Sequence, residues 1–292
     1  MLNEVFIKCP LRGTELKLIR QGKVKDIYEL ENGHLLLHFT DRISAFDVKM
    51  TTMVPQKGKI LCRFAKFWFE YLDVPNHMIS VPRDDMMEVQ KLSIVPLEFV
   101  VRGYLYGSLF ERFKNMDKIR GLFDDSFKPV KAAKLPHPIL DTSTKSELHD
   151  LPISKQQIVE DGLLTAREFE FLEEESILLY KKMNSLAEKA NFIIADVKFE
   201  FGRDPKNNII LADSIGPDEF RLWLMSNYIA GQDQISYDKQ ILRDWLKTTG
   251  RLQQIQSKSL RPDTLEVPFE ITEEIIKRYK FAFNEISGKV EN

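Results

Sequence analysis

The chain has 292 residues, with 42 Lys plus Arg set against 44 Asp plus Glu. A near-zero net charge excludes a protein dominated by polyanion binding and leaves room for a local basic pocket, so no nucleic-acid partner is expected. Hydrophobic residues at 43% and charged residues at 29% are the balance of a globular protein with one large or two modest domains. Cys9 and Cys62 lack metal or redox spacing and are too few for a disulfide framework, which points to a reducing, cytoplasmic setting. No apolar run reaches the roughly 18 residues of a membrane span, and the N-terminus carries no leader-like apolar region.

The first half reads as strands. Lys17 to Arg20, Val24 to Leu30 and Leu35 to Thr40 are short and rich in β-formers. Asn32-Gly33 between the last two is a hairpin turn signal, because glycine tolerates the positive φ such turns need. A helix is expected from Ile60 to Tyr71, where Leu61, Phe64, Ala65 and Trp68 recur at helical spacing. Leu97 to Tyr104 reads as a strand. Residues 115 to 153, with Pro129, Pro136, Pro138 and Pro152, read as a long irregular stretch, functional or mobile.

Thr165 and Glu168 form a capping box for the clearest helix, whose apolar stripe runs from Phe169 to Ala190. Two strands follow, Phe192 to Phe201 and Ile209 to Asp213. The tail holds helices at about Tyr237 to Thr248, with Ser236 as cap and Gly250 as stop, and at Thr272 to Ile286. Antiparallel strands first and helices later give an α+β class.

Several clusters can carry chemistry. Gly22, Lys23 and Lys25 sit at a turn that can cover phosphates or be a plain hairpin; the spacing is not a Walker A loop. Asp41, Arg42 and Ser44 in a post-strand loop can bind a zwitterion or make a hydrogen-bonded turn. Arg102 ends a strand, and Gly107-Ser108 opens a short helix. A helix N-terminus with an arginine and a hydroxyl suits a phosphate; a capped helix with a surface arginine is the other reading. His149-Asp150 closes the proline-bearing stretch.

The strand from Ile193 to Phe201 carries the most. Alternation puts Ala195, Val197, Phe199 and Phe201 on one face and Asp196, Lys198 and Glu200 on the other. A symmetric hairpin sets Lys198 opposite Asp213 and makes Glu200 and Asp213 diagonal neighbours, roughly 7–8 Å apart. Two such carboxylates can clamp Mg²⁺ together with nucleotide phosphates, and a solvated outer face is the alternative.

Taken together, GKVKDIYE (22–29), TDRISAFDV (40–48), VRGYLYGS (101–108), TSTKSELHD (142–150), DVKFEFG (196–202), PDEFRLW (217–223) and SYDKQILRDWL (236–246) resemble the SAICAR synthetase (phosphoribosylaminoimidazole-succinocarboxamide synthase) family. The seven motifs run in family order over nearly the whole chain. The resemblance implies two subdomains, 1–99 and 100–292, whose antiparallel sheets flank an ATP cleft, a fold related to the ATP-grasp and kinase-like nucleotide folds, with a helical C-terminal tail.

It also implies a ligase in purine biosynthesis that uses ATP and Mg²⁺ to join L-aspartate to a carboxylated aminoimidazole ribonucleotide. By that resemblance ATP falls to Gly22, Lys23, Lys25 and Glu200, with an adenine hinge near Glu98 to Val100 through backbone groups. Lys198 and Asp213 fall at the reacting centre, and Glu200 and Asp213 at the metal. The ribonucleotide falls to Arg102, Ser108 and Arg221. Asp41, Arg42, Ser44, His149 and Asp150 are further substrate-side candidates. Two departures stand out: Ser214 where the family has Glu, and Phe220 where it has Ser. The rival readings are a phosphotransferase acting on a sugar or inositol phosphate, and a non-catalytic nucleotide-binding homologue.

Overall fold

The structure is a computed structural model and describes residues 6–8, 15–46, 48–113, 127–145, 151–261 and 265–290. Its first sheet comprises β1 (Phe6–Lys8), β2 (Glu15–Gln21), β3 (Lys25–Glu29), β4 (Leu35–Phe39), β7 (Met78–Arg83) and β8 (Met86–Val89). They lie antiparallel in the order β1-β2-β3-β4-β8-β7. Asn32-Gly33 turns β3 into β4 as expected, with Gly33 at φ 82°.

The second sheet runs β11 (Lys134–Thr144), β10 (Leu97–Tyr104), β12 (Phe192–Arg203) and β13 (Ile209–Ala212). Two short strands, β9 (Ser93–Ile94) and β14 (Phe220–Leu224), also pair with β12. One apolar core joins the layers. Helix α1 (Lys57–Leu72) gives it Phe64 and Trp68. Helix α4 (Ala166–Lys189) gives it Phe169, Leu172, Leu179 and Met183, set against Val197, Phe199 and Phe201 of β12. Phe99 meets Phe201 edge-on at 5.3 Å. The capping box at Thr165 and Glu168 is formed on both arms and starts α4. The remaining helices are α2 (Gly107–Phe113), α3 (Lys155–Glu160), α5 (Gln240–Thr248), α6 (Arg251–Gln256) and α7 (Phe269–Ser287). The class is α+β, as the strand-then-helix order predicts.

Four local expectations are corrected. First, part of the stretch read as irregular is the strand β11, paired with β10 from Thr144↔Leu97 to Ile139↔Arg102. Pro136 and Pro138 fall where the ladder shifts register, between Ile139 and Lys134, and β11 is an edge strand, a position that tolerates the missing N–H. Second, the supposed loop at Arg42 is a two-stranded hairpin, β5 (Arg42–Ala45) with β6 (Val48–Met53). Third, α5 starts at Gln240, and Asp238 rather than Ser236 shapes its entry. Its two carboxylate oxygens accept from Gln240 N and Leu222 N, each at 2.7 Å.

The fourth correction concerns β12 itself. A bulge lies between Ile194 and Asp196. Ala195 therefore leaves the face of Val197 and Phe199 and joins Tyr104, Tyr106, Ile193 and Trp223 in a separate cluster. Past the bulge Asp196 and Lys198 line the cleft, as expected.

Candidate active site

A cleft of about 660 Å³ is lined by residues of both sheets and of the helical tail. Lys23, Lys25 and Ser44 line it from the N-terminal side. Glu98, Val100, Arg102, Ser108, Lys198, Asp213 and Arg221 line it from the other. Ten of the residues singled out in the sequence thus converge on one space.

Lys25 and Asp213 make a direct ion pair across the cleft, joining the two sheets. Lys25 also donates to Ser214 Oγ at 2.7 Å. Burial alone would lower the Lys25 pKa, but Asp213 and Glu219 outweigh it and hold the ammonium charged. Burial opposes the charge on Asp213 as well. Lys25, Lys198 and Lys145 together overcome that and keep its carboxyl well below the usual range.

The β12–β13 register differs by one residue from the symmetric expectation. Glu200 faces Ala212, so Lys198 does not sit opposite Asp213. Asp213 still reaches the cleft because it adopts φ 60°, which breaks the alternation just past β13. His77 stabilises that turn from outside the cleft, with Nε2 3.0 Å from the Asp213 carbonyl oxygen. Burial pushes His77 down to about 4, so its ring is neutral and Nε2–H is the donor.

Lys198 donates to Glu98 at 2.7 Å and to Glu200 at 2.9 Å. Its ammonium is desolvated, yet Glu200, Glu98 and Asp213 raise its pKa well above the ordinary lysine value. Glu200 lies 4% exposed beneath Lys198 and also pairs with Lys145. The adenine hinge expected through backbone groups of Glu98 to Val100 does not fit. Val100 pairs with Asp141 on one side and Lys198 on the other, which commits its backbone to the sheet.

At the far end Arg102 donates to Ser108 Oγ at 3.1 Å and pairs with Asp141 at 2.7 Å. Arg221 pairs with Asp196, which also lies 3.7 Å from Arg102. Gly107 has φ 59°, and a side chain there would meet Arg221 at 2.5 Å, so the arginine packs directly on the first turn of α2.

Three other candidates do structural work. Asp41 accepts from Gly58 N at 2.9 Å and Gln56 N at 3.2 Å, tying down the start of α1. Arg42 makes a two-point pair with Asp26 and donates to the Gly22 carbonyl at 3.2 Å. Gly22 is held under the turn, where a side chain would strike the Lys25 carbonyl at 2.6 Å. Arg42 and Gly22 shape the lysine turn, and all three stand outside the cleft lining. His149 and Asp150 lie outside the described residues.

Sequence reasoning missed Glu219, Asp218, Lys239, Arg243, Lys247 and Lys131, all of which line the cleft. Glu219 accepts from Ser214 Oγ at 3.3 Å, so the position lacking the family's Glu has a carboxylate beside it. Burial, with Asp218 and Asp213 beside it, pushes Glu219 up to about 7 against the pull of Lys25. Phe220 turns inward, 3% exposed and edge-on to Phe64 at 5.8 Å, so its bulk is absorbed by the core.

The SAICAR synthetase family model matches residues 18–259. A Nitrosopumilus maritimus protein named phosphoribosylaminoimidazole-succinocarboxamide synthase is 43% identical over 277 residues, covering 94% of this chain and 99% of its own length. A Candida albicans protein of the same name is 36% identical, covering 96% of this chain and 97% of its own. The solved structure of SAICAR-synthase from Saccharomyces cerevisiae complexed with SAICAR is 34% identical with a TM-score of 0.81, covering 97% of this chain and 98% of that one. A SAICAR synthetase in complex with ADP is 26% identical with a TM-score of 0.69, covering 92% and 97%. This chain belongs to the SAICAR synthetase family.

Proposed function

We propose that the protein is an ATP-dependent carbon–nitrogen ligase of purine biosynthesis. It joins L-aspartate to 5-amino-1-(5-phosphoribosyl)imidazole-4-carboxylate and releases SAICAR, ADP and phosphate. The observation that carries this reading is the continuity of one cleft from the Lys25–Asp213–Lys198 group to the Arg102–Ser108–Arg221 group. The first group suits a polyphosphate end and the second a sugar phosphate.

The chemistry needs such a layout. A carboxylate is a poor electrophile and repels the terminal phosphate of ATP. Lys25 and Lys198, both held charged, offset that repulsion where the two anions meet. The terminal phosphoryl group passes to a carboxylate oxygen and ADP leaves. The amine of aspartate then attacks the acyl carbon, and the carbon–oxygen bond breaks to release phosphate. One N–H proton stays on the amide; the others leave to phosphate and solvent.

Mg²⁺ belongs to this reading. Asp213 in the cleft lining and Glu200 beneath Lys198 are hard oxygen donors, and the cleft lining includes no sulfur or imidazole donor. Among the described residues no group of three or more potential ligands forms a closed site. That donor set fits an ion that arrives on nucleotide phosphates and takes one or two protein carboxylates. When bound, the ion would neutralise phosphate charge. Glu200 and Asp213 would hold it. The reading also includes a cytosolic location and small-molecule partners; among the described residues no helix is long and apolar enough to cross a membrane.

The test is phosphate release from ATP with aspartate and the ribonucleotide omitted in turn. Release is expected only with both. Release supported by an alcohol or a sugar phosphate, without aspartate, would point to a phosphotransferase.

A further inference from the structure

Ser214 and Phe220, the two departures from the family pattern, meet at one acidic residue. The turn from Gly216 to Phe220 is closed on the Gly216 carbonyl, which accepts from Glu219 N at 2.9 Å and from Phe220 N at 3.1 Å. Phe220 sinks against Phe64 and fixes one end of that turn in the core. The Glu219 carbonyl accepts from Lys198 N at 2.9 Å, which ties the turn to β12. The Glu219 side chain is thereby presented to the cleft. One of its carboxylate oxygens accepts from Ser214 Oγ at 3.3 Å, and among the described residues the other takes no hydrogen bond. The carboxylate that is missing at Ser214 is supplied from the neighbouring turn.

A carboxylate so close to Asp213 and Asp218 is unfavourable in a cleft that admits two phosphate-bearing substrates, unless a cation meets it. The nearby lysines are already engaged. Lys25 pairs with Asp213, and Lys198 with Glu98 and Glu200. Mg²⁺ is provided for by Asp213 and Glu200 in the reading above. The cation still without a counter-charge is the ammonium group of L-aspartate, which has to shed a proton before it can attack.

Resting on the ligase reading above, we infer that Glu219 receives the amino group of L-aspartate and takes its proton, a catalytic carboxylate that this chain presents from the Gly216–Phe220 turn in place of one at position 214. The ammonium nitrogen passes one proton to the Glu219 oxygen left open by Ser214. The neutral amine adds to the acyl carbon. The carbon–oxygen bond then breaks, and phosphate leaves with the electron pair and a second proton from nitrogen. Glu219 returns its own proton to solvent. Its surroundings agree with that task. Burial, Asp218 and Asp213 raise its pKa to about 7 against Lys25 and Lys198, and Lys239 and Tyr279 face it as well. A carboxylate balanced there accepts a proton near neutral pH and gives it up again.

The experiment separates the amine step from the phosphoryl step on the intact protein. Hydroxylamine is uncharged near neutral pH and attacks an acyl phosphate without help from a base, giving a hydroxamate. Glu219→Gln should form SAICAR about 100-fold more slowly or worse, yet form hydroxamate from ATP, the ribonucleotide and hydroxylamine within about twofold of the wild-type rate. Exchanging the two side chains, Ser214→Glu with Glu219→Ser, should recover much of the SAICAR rate that Glu219→Ser alone loses. Should Glu219→Gln melt early, that exchange carries the test, because it keeps the carboxylate and moves only its origin. Equal loss of both products would place Glu219 in the metal or phosphoryl step and overturn the assignment. An unchanged SAICAR rate, or an exchange no faster than Glu219→Ser, would overturn it too. A wild type that makes neither product would instead bring down the ligase reading, and this assignment with it.

Discussion

Lys57 at the start of α1 and Asp218 in the cleft wall meet at 2.8 Å with side chains only 1% and 3% exposed. Tyr279 of α7 donates to the same carboxylate at 3.2 Å, so two distant helices end on one anion under the substrate cleft. Burial opposes the Asp218 charge, yet Lys57 and Lys239 hold its pKa well below the usual range.

Removing one partner of such a pair leaves an unmatched buried charge. Lys57→Met should therefore cost about 3–5 kcal/mol of stability. The double variant with Asp218→Asn should cost less, since no buried carboxylate is then left without Lys57 and only the partly exposed Lys239 loses its partner. Urea unfolding of both variants and the wild type measures the difference. Equal losses would mean that the helix junction, not the charge, sets the cost.

Arg102→Ala should affect the ribonucleotide selectively. It removes charge-assisted hydrogen bonds worth about 1.5–3 kcal/mol, or roughly 10–100-fold in KM for that substrate. The KM for ATP should move little if, as proposed, the nucleotide sits at the Lys25 and Lys198 end of the cleft. Equal increases for both would refute the division of the cleft into two ends.

Glu219 should give stability a pH dependence of definite sign. Its folded pKa is raised from 4.5 to about 7, so the folded chain binds the extra proton between those values. Stability tied to this group is full below about 4.5 and is lost as pH rises through about 7. Glu219→Gln should gain on the wild type in melting temperature as pH goes from 5 to 8 without ligands. A constant difference across that range would contradict the buried-acid description.

Gly103→Ala should destabilise from within the sheet. Its new methyl would lie 1.8 Å from the Tyr180 hydroxyl, which donates to the Ile194 carbonyl at 2.9 Å. Overpacking of this kind costs about 1–3 kcal/mol. The companion Gly103→Ala/Tyr180→Phe variant should recover part of it. A thermal melt indistinguishable from the wild type would mean that α4 shifts freely over β10.

Much of this was legible in the residues. The capping box, the Asn32-Gly33 turn and the helical spacing in α1 are local signals, and local physics decides them. The alternating Asp196, Lys198 and Glu200 pointed to a polar face, and Asp213 was rightly drawn to the same cleft. What stayed hidden depends on pairing across the chain. The prolines of β11 looked like a loop because an edge position is invisible until the sheet is assembled. Asp41 and Arg42 carried the residue types of a ligand site and were taken up by α1 and Asp26. The α5 cations were missed because Lys and Arg at every fourth position read as an exposed helix face unless a cleft lies opposite.

The extra residue at Ala195 works like a frameshift in protein space. Deleting it would restore plain alternation and keep Lys198 on the cleft side, but one residue would then have to serve both the Tyr104–Trp223 cluster that Ala195 fills and the Arg221 pair that Asp196 makes. The strand can therefore tolerate conservative replacements at many sites, but its length between Ile194 and Asp196 is not negotiable.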